Sequence, residues 1–322
     1  MEEVRLPLDW ELWVVEHLLF SAHREGLADA LVARGVERRA AMEQVDAVLA
    51  SAQFERLRAR LAEATLASRL ERLQRELLPP IEAIDVVDDL DAETLHKEHW
   101  IPSRPIKISR CAPRLKALEW TLADLAERYG DVEIDVNVDR GRATSSRDVE
   151  QYQAPMTLRA FVERALGDET DDLYVVSRNG LLCVEGLAPL WDDLAPLPAF
   201  VGPVRRPRGV SLWAGPKGTR TRPHFDPHNV LLLQVEGEKR VRLSPRLSPK
   251  MASRFEGYYL VGDLDPAIDP IFEVRLSAGE ALFIPAAWIH EVIALAPSMT
   301  LSFVSFPWPN HFHFLGPPGS DD

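Results

Sequence analysis

Cysteine is scarce in this chain. There are two in 322 residues, Cys111 and Cys183, and no CxxC pair. That excludes a cysteine zinc site and a disulfide framework. No run approaches the roughly 20 apolar residues of a membrane span, so no membrane association is expected. The opening MEEVRLPLDW is acidic and has no basic stretch ahead of an apolar core, so no secretory signal is read. Positive charge is in deficit: 37 Lys and Arg stand against 50 Asp and Glu, a net charge of −13. An acidic surface disfavours direct nucleic-acid binding and is compatible with a basic peptide partner. Internal repeats and low-complexity tracts are also missing. These absences describe a soluble, cytoplasmic protein. The excess of arginine over lysine, with abundant alanine, points to a GC-rich bacterial source.

What is there is a chain 46% hydrophobic, ample for one large core or two smaller ones. Residues 10 to 78 read as helical. WELWVVEHLLFSAHREG stops at Gly26, LADALVARG ends at Gly35 as a C-cap, and Leu57, Leu61, Leu70, Leu73 and Leu77 mark one face of a later helix. Such a bundle packs on the main domain or on a second subunit, which makes a homodimer an expectation, or it recruits substrate. Pro79 and Pro80 close it, giving a helical region 1–80 and a main domain 81–322. TLADLAERYGD and MTLRAFVERAL read as helices and VEIDVNV as a strand. Residues 139 to 155 are polar and turn-rich, a candidate lid. Beyond Tyr174, short apolar or alternating runs broken by Pro and Gly predict a β-sandwich or barrel.

The stretch TRTRPHFDPHN, residues 219 to 229, places His224 and Asp226 two positions apart before an apolar run. On an extended strand both side chains share a face. GEALFIPAAWIHEV supplies a third candidate: Gly279 turns, a buried strand follows, Pro285 breaks it, and His290 opens the next strand. Two histidines and a carboxylate on one face leave positions open, as in non-haem Fe(II) oxygenases. The alternative is an ordinary polar turn.

The stretch WAGPKGTRTRPHFDPHNVLLLQVEGEKRVRLSP resembles the core of the JmjC/cupin-like 2-oxoglutarate oxygenases, nearest the protein-hydroxylase branch of factor-inhibiting HIF. GEALFIPAAWIHEV and LSFVSFPW resemble that family's closing half, and WIPSRPIKISR, WTLADLAERYGD and MTLRAFVERAL its N-terminal flank. The resemblance spans residues 96 to 309. It implies a double-stranded β-helix (cupin or jelly-roll) core at about 170–309, a mainly β domain with helical flanks and an N-terminal helical bundle. It implies Fe(II) on His224, Asp226 and His290, 2-oxoglutarate as cosubstrate and O2 as oxidant. Lys239 would bind the far carboxylate of 2-oxoglutarate, assisted by Thr221 and Tyr174. The implied activity is hydroxylation of a side chain in a protein or peptide. N-methyl demethylation, small-molecule hydroxylation and a non-catalytic binding barrel are the alternatives.

Relatives usually carry Asn six residues after the first histidine. Here Asn229 is one position early and Val230 takes the slot. Either a bulge returns Asn229 to the cosubstrate pocket, or that contact is lost. Ser211 and Ser305 are expected to face the barrel interior near the cosubstrate. Trp213, Trp288 and Trp308 read as core, with Trp213 and Trp308 also candidates to line the substrate pocket. His228 reads as a turn residue, His96 and His99 as a solvated helix face, His311 and His313 as part of a C-terminal strand or tail, and Arg220 and Arg222 as exposed.

Overall fold

The computed structural model describes Val14, Val15, Leu18 and residues 24–59, 81–140, 152–245, 255–256, 259–260, 262–267 and 270–310. The chain divides into two compact units, Met1–Pro80 and Ile81–Asp322. In the first, helix α1 (Arg24–Val32) and helix α2 (Arg38–Leu49) pack Leu27, Leu31, Ala41 and Val45 into a small core with Val14. Gly26 does not stop α1, which runs through it, because good helix formers such as Leu27, Ala28, Ala30 and Leu31 follow before Gly35. Gly35 does end it, at φ +94, where its N–H bonds the Val32 carbonyl. Leu61, Leu70, Leu73 and Leu77 lie outside the described residues, as do His311, His313 and positions 141–151 of the expected lid.

The second unit is a jelly roll of two six-stranded sheets. One sheet runs β1 (Asp85–Val87), β2 (Ile106–Ile108), β13 (Ala281–Ile284), β8 (Val230–Glu236), β15 (Ser298–Phe303), β6 (Val210–Gly215). The other runs β10 (Phe255–Glu256), β11 (Tyr259–Leu260), β7 (Arg220–His224), β14 (Ile289–Ala294), β9 (Glu238–Ser244), β12 (Phe272–Ser277). A third sheet, β4 (Gln153–Thr157), β3 (Glu133–Val138), β5 (Leu173–Tyr174), joins β6 through a bridge from Val175 to Ala214. The polar stretch expected as a lid thus ends in strand β4. Its Ala154 and Met156 are half-buried and alternate with exposed neighbours.

Alternation along the strands builds the interior. On β8, Val230 and Leu232 face the space between the two large sheets. Leu231 and Leu233 face the other way, into a core shared with the helices. On β15, Thr300 and Ser302 face inward and Met299, Leu301 and Phe303 outward. That outer core receives Leu122 and Leu125 of helix α3 (Leu122–Tyr129) and Phe161 and Val162 of helix α4 (Leu158–Gly167). Thr121 and Thr157 cap these helices, each accepting an N–H three residues on. The turn between β8 and β9 needs Gly237: its φ is +75, and a Cβ there would meet the Pro297 carbonyl oxygen at 2.1 Å.

The helical face around residue 96 is less solvated than its composition indicates. A π-helical turn, Leu95–Trp100, buries His99 and half-buries His96. No helix among the described residues is long and apolar enough to cross a membrane.

Candidate metal and cosubstrate site

A cavity of about 400 Å³ opens between the two large sheets, with the three-stranded sheet as a further wall. His224 ends β7 and His290 lies in β14, and their Cα positions are partners across the ladder. Their rings stand 4.2 Å apart, centroid to centroid. Asp226 is not on the strand with His224. It lies in the loop beyond β7, where its backbone carbonyl accepts the Ala287 N–H at 2.9 Å. Its Oδ2 is 3.6 Å from His290 Nε2, and one ligand atom from each of the three residues lies within 4.8 Å of the others.

The tautomers are set by the backbone. His224 Nδ1 is 2.9 Å from the Arg222 carbonyl and His290 Nδ1 is 3.0 Å from the Trp288 carbonyl. A carbonyl only accepts, so each Nδ1 carries the proton and each Nε2 keeps its lone pair. Burial, then the neighbouring His224, pushes the His290 imidazole down to about 4, so it is neutral at physiological pH. Burial pushes the Asp226 carboxyl up, but His224 and His290 outweigh it and hold the group below its ordinary value. The Nε2 atoms of both imidazoles and the Asp226 carboxylate thus face one another as a donor set for a cation.

Lys239 sits on β9, paired with Ala294, while His290 pairs with Leu243. Four residues separate these levels, about 13 Å along the strand. Lys239 is 2% exposed, and no carboxylate among the described residues pairs with it. Its Nζ stands 5.7 Å from the Tyr174 ring, and the Tyr174 hydroxyl is 3.5 Å from Thr221 Oγ1. Strict alternation would put Thr221 and His224 on opposite faces. The register shifts, however: His224 pairs with His290 and Thr221 with Val292, three residues of β7 against two of β14. This bulge lets both line the cavity. Ser211 and Trp213 of β6 line it as well, and so does His228 from the loop.

Three candidate residues stand away from the cavity, Trp308 in the core as its first reading has it. Asn229 does not line the cavity. It is buried at 3% exposure, and its Oδ1 accepts the Ala286 N–H while Asn310 holds its backbone. Val230 begins β8 with its side chain inward, so no bulge turns Asn229 into the pocket. Trp308 does not line it either, because its ring stacks on His96 at 4.5 Å and leans on Trp100. Ser305 instead donates to the Pro203 carbonyl. Arg222 is exposed as expected, whereas Arg220 is half-buried, paired with Glu291 and Asp263.

Two lining residues had no signal in the sequence. Arg140, 8% exposed, bonds Asp171 and the Arg220 carbonyl, and its guanidinium lies 5.0 Å from the Tyr174 ring. Asn137, 2% exposed, is the partner of Tyr174 across β3 and β5. Asn179 accepts the Val176 N–H through its Oδ1, so it must donate through Nδ2 to Asn137 Oδ1, at 2.9 Å. That fixes the Asn137 amide and leaves its Nδ2 protons without an acceptor among the described residues. Asn137 lies on β3 and Arg140 two residues beyond its end, and the docking of that sheet depends on tertiary packing.

Comparison with known proteins agrees with this geometry. Residues 92–307 match the cupin-like domain family. The chain is 26% identical over 230 residues to lysine-specific demethylase JMJ30 of Arabidopsis thaliana, covering 66% of this chain and 52% of that protein. It is 28% identical over 240 residues to tRNA wybutosine-synthesizing protein 5 of Danio rerio, covering 66% and 72%. With ribosomal oxygenase 1 of Gallus gallus it shares 29% identity over 220 residues, covering 65% and 33%. The chain thus spans about half the length of JMJ30 and a third of the ribosomal oxygenase. The two-sheet barrel, the His-Asp-His cluster inside it and the match across two thirds of the sequence place the chain in the family of cupin-like JmjC Fe(II)/2-oxoglutarate oxygenases.

Proposed function

We propose that this chain is an Fe(II)- and 2-oxoglutarate-dependent dioxygenase that hydroxylates an amino-acid side chain of a protein or peptide. The observation that carries the reading is the pairing, in one cavity, of a two-imidazole and carboxylate triad with a buried lysine that has no carboxylate partner among the described residues. A buried ammonium without an anion costs several kcal/mol, and the far carboxylate of a bound dicarboxylate would supply one. The donor set fits Fe(II), since three protein ligands on one side leave positions for a chelating oxo acid and O2.

In this reading His224, Asp226 and His290 hold the ion. When bound, Fe(II) with 2-oxoglutarate and O2 supplies C–H oxidation coupled to decarboxylation of the oxo acid to succinate and CO2. The chain's own residues do the positioning. Lys239 fixes the far carboxylate, with the Thr221 and Tyr174 hydroxyls in reach of it, and Trp213, Val230 and Leu232 give the cavity apolar wall. The Arg222 and Trp288 carbonyls hold the two imidazoles in the tautomer that leaves Nε2 free. Asn137 offers two unmatched protons to an acceptor on the substrate, such as a peptide or carboxamide oxygen.

Hydroxylation is favoured over removal of methyl groups from a cationic lysine by the charge of the cavity wall. Arg140, Arg178, Arg222 and Lys239 line it, and Asp226 is the only carboxylate among its described lining residues. A cationic side chain would meet like charge there. The same lining gives no support to a basic partner, with which the net charge is compatible. The proposal includes a cytoplasmic location, where the free thiols of Cys111 and Cys183 stay reduced, and a homodimer formed through the N-terminal helices, which expose Val32.

The test is succinate formation from 2-oxoglutarate with Fe(II) and O2. Wild type should turn over slowly without substrate, and Asp226→Ala and Lys239→Ala should not. Equal rates in all three would refute the reading.

A further inference from the structure

We infer that Asn229 and Asn310 are positioning residues for the bound ion. Together they form an amide clasp that sets the loop carrying Asp226 against the turn leading to His290. The inference rests on the proposed metal role of the triad.

His224 and His290 lie within strands, so ladder hydrogen bonds hold their backbones on both sides. Asp226 does not. Residues 225 to 229 belong to no strand, so the place of the one anionic ligand depends on bonds made outside the sheets. Those bonds form a short chain. Asn310 Oδ1 accepts the Asn229 N–H at 2.8 Å, and Asn310 Nδ2 donates to the Asn229 carbonyl at 2.9 Å. One side-chain amide thus grips both backbone polar groups of one residue, as a neighbouring strand would. The same Nδ2 donates to the Val304 carbonyl at 2.8 Å, anchoring the clasp to the end of β15.

From Asn229 the chain of bonds continues to the second ligand segment. Asn229 Oδ1 accepts the Ala286 N–H at 2.8 Å, and the next N–H, that of Ala287, bonds the Asp226 carbonyl at 2.9 Å. Ala287 holds φ +65 to make this contact. That is a left-handed conformation which a residue with a Cβ adopts at a cost, and only where the surroundings impose it. Asn229 and Asn310 are 3% and 8% exposed, and neither lines the cavity. They act through Asp226 rather than on the ion.

The experiment is Co(II) titration of the full chain, read by affinity and by the visible absorption of the bound ion. It compares wild type, Asn310→Ala, and Val162→Ala, a core truncation in α4 that destabilises without touching the loop. Asn310→Ala is expected to bind Co(II) about tenfold more weakly or worse, the scale of outer-shell losses, with an altered spectrum. Val162→Ala should bind like wild type at a comparable loss of melting temperature. If Asn310→Ala does not fold, Asn310→Asp is read in its place. It keeps the acceptor for the Asn229 N–H, loses the two donors, and should show the same direction of change. An Asn310 variant that binds within about twofold of wild type, with an unchanged spectrum, would overturn the clasp. Absence of Co(II) binding by wild type would overturn the metal reading, and the clasp with it.

Discussion

The Nε2 of His290 lies 3.6 Å from the Oδ2 of Asp226, while the other nitrogen of the same ring is held by the Trp288 carbonyl 3.0 Å away. One side of the imidazole is fixed by backbone and the other is offered to the cavity. The next residue, Glu291, points to the opposite face of the sheet. There it is 1% exposed and paired with Arg220 and Arg242. The strand that presents a ligand inward is therefore pinned by charge from outside.

That pinning has a measurable size. Glu291→Ala takes the carboxylate from half-buried Arg242 and leaves Arg220 with Asp263 alone, and breaking a buried pair costs roughly 3–5 kcal/mol. The variant should unfold at markedly lower denaturant concentration than wild type, measured by circular dichroism. A midpoint unchanged from wild type would show the network to be solvent-screened and inert.

Lys239 should trade stability for function. Lys239→Met keeps a flexible chain of similar length and removes a buried cation that has no carboxylate partner among the described residues. In the absence of cosubstrate the variant should be more stable by roughly 0.5–2 kcal/mol, yet lose 2-oxoglutarate binding by calorimetry. A less stable Met variant would mean that the ammonium is well solvated where it stands.

His99 gives the pH dependence a sign. Burial lowers its pKa below the ordinary histidine value, although Asp85 and Glu98 pull upward. The unfolded chain then binds a proton that the folded chain resists, so stability is fully present above about pH 6.5 and falls as pH drops below it. Urea unfolding of the metal-free protein at several pH values should show this fall, and His99→Gln should make it shallower. Parallel curves for the two proteins would remove His99 from the account.

The two cysteines should separate cleanly. Burial pushes the Cys111 thiol up to about 12, whereas Cys183 is exposed. A thiol reagent should modify one cysteine in the folded protein and both in denaturant. Two rapid equivalents under native conditions would place Cys111 at the surface.

Much of the site was legible because strands advertise themselves. The HFD pair, the Gly279 turn and the Pro285 break marked the ends of the segments that carry His224 and His290. Lys239, between Glu238 and Arg240, stood out only through the family resemblance and its spacing from His224. What misled was geometry that alternation cannot supply. Thr221 and His224 share a cavity only through a bulge in β7, and Asp226 is placed by a loop rather than a strand. Asn229, one position off the family pattern, faces a turn instead of the cosubstrate. Trp308 left the pocket for a stack on His96, a contact between segments more than 200 residues apart in sequence. Asn137 reaches the cavity from a separate small sheet and Arg140 from just beyond the end of its strand β3, and no local pattern foretells where such a sheet docks.

The most direct measurement is anaerobic titration of the protein with Fe(II) and 2-oxoglutarate, following the weak visible charge-transfer band of the chelated ion. Wild type should develop the band, Asp226→Ala should not, and Lys239→Ala should need far more 2-oxoglutarate to reach it. A folded, iron-replete wild type that shows no band would contradict the oxygenase account and leave a barrel that binds without catalysing.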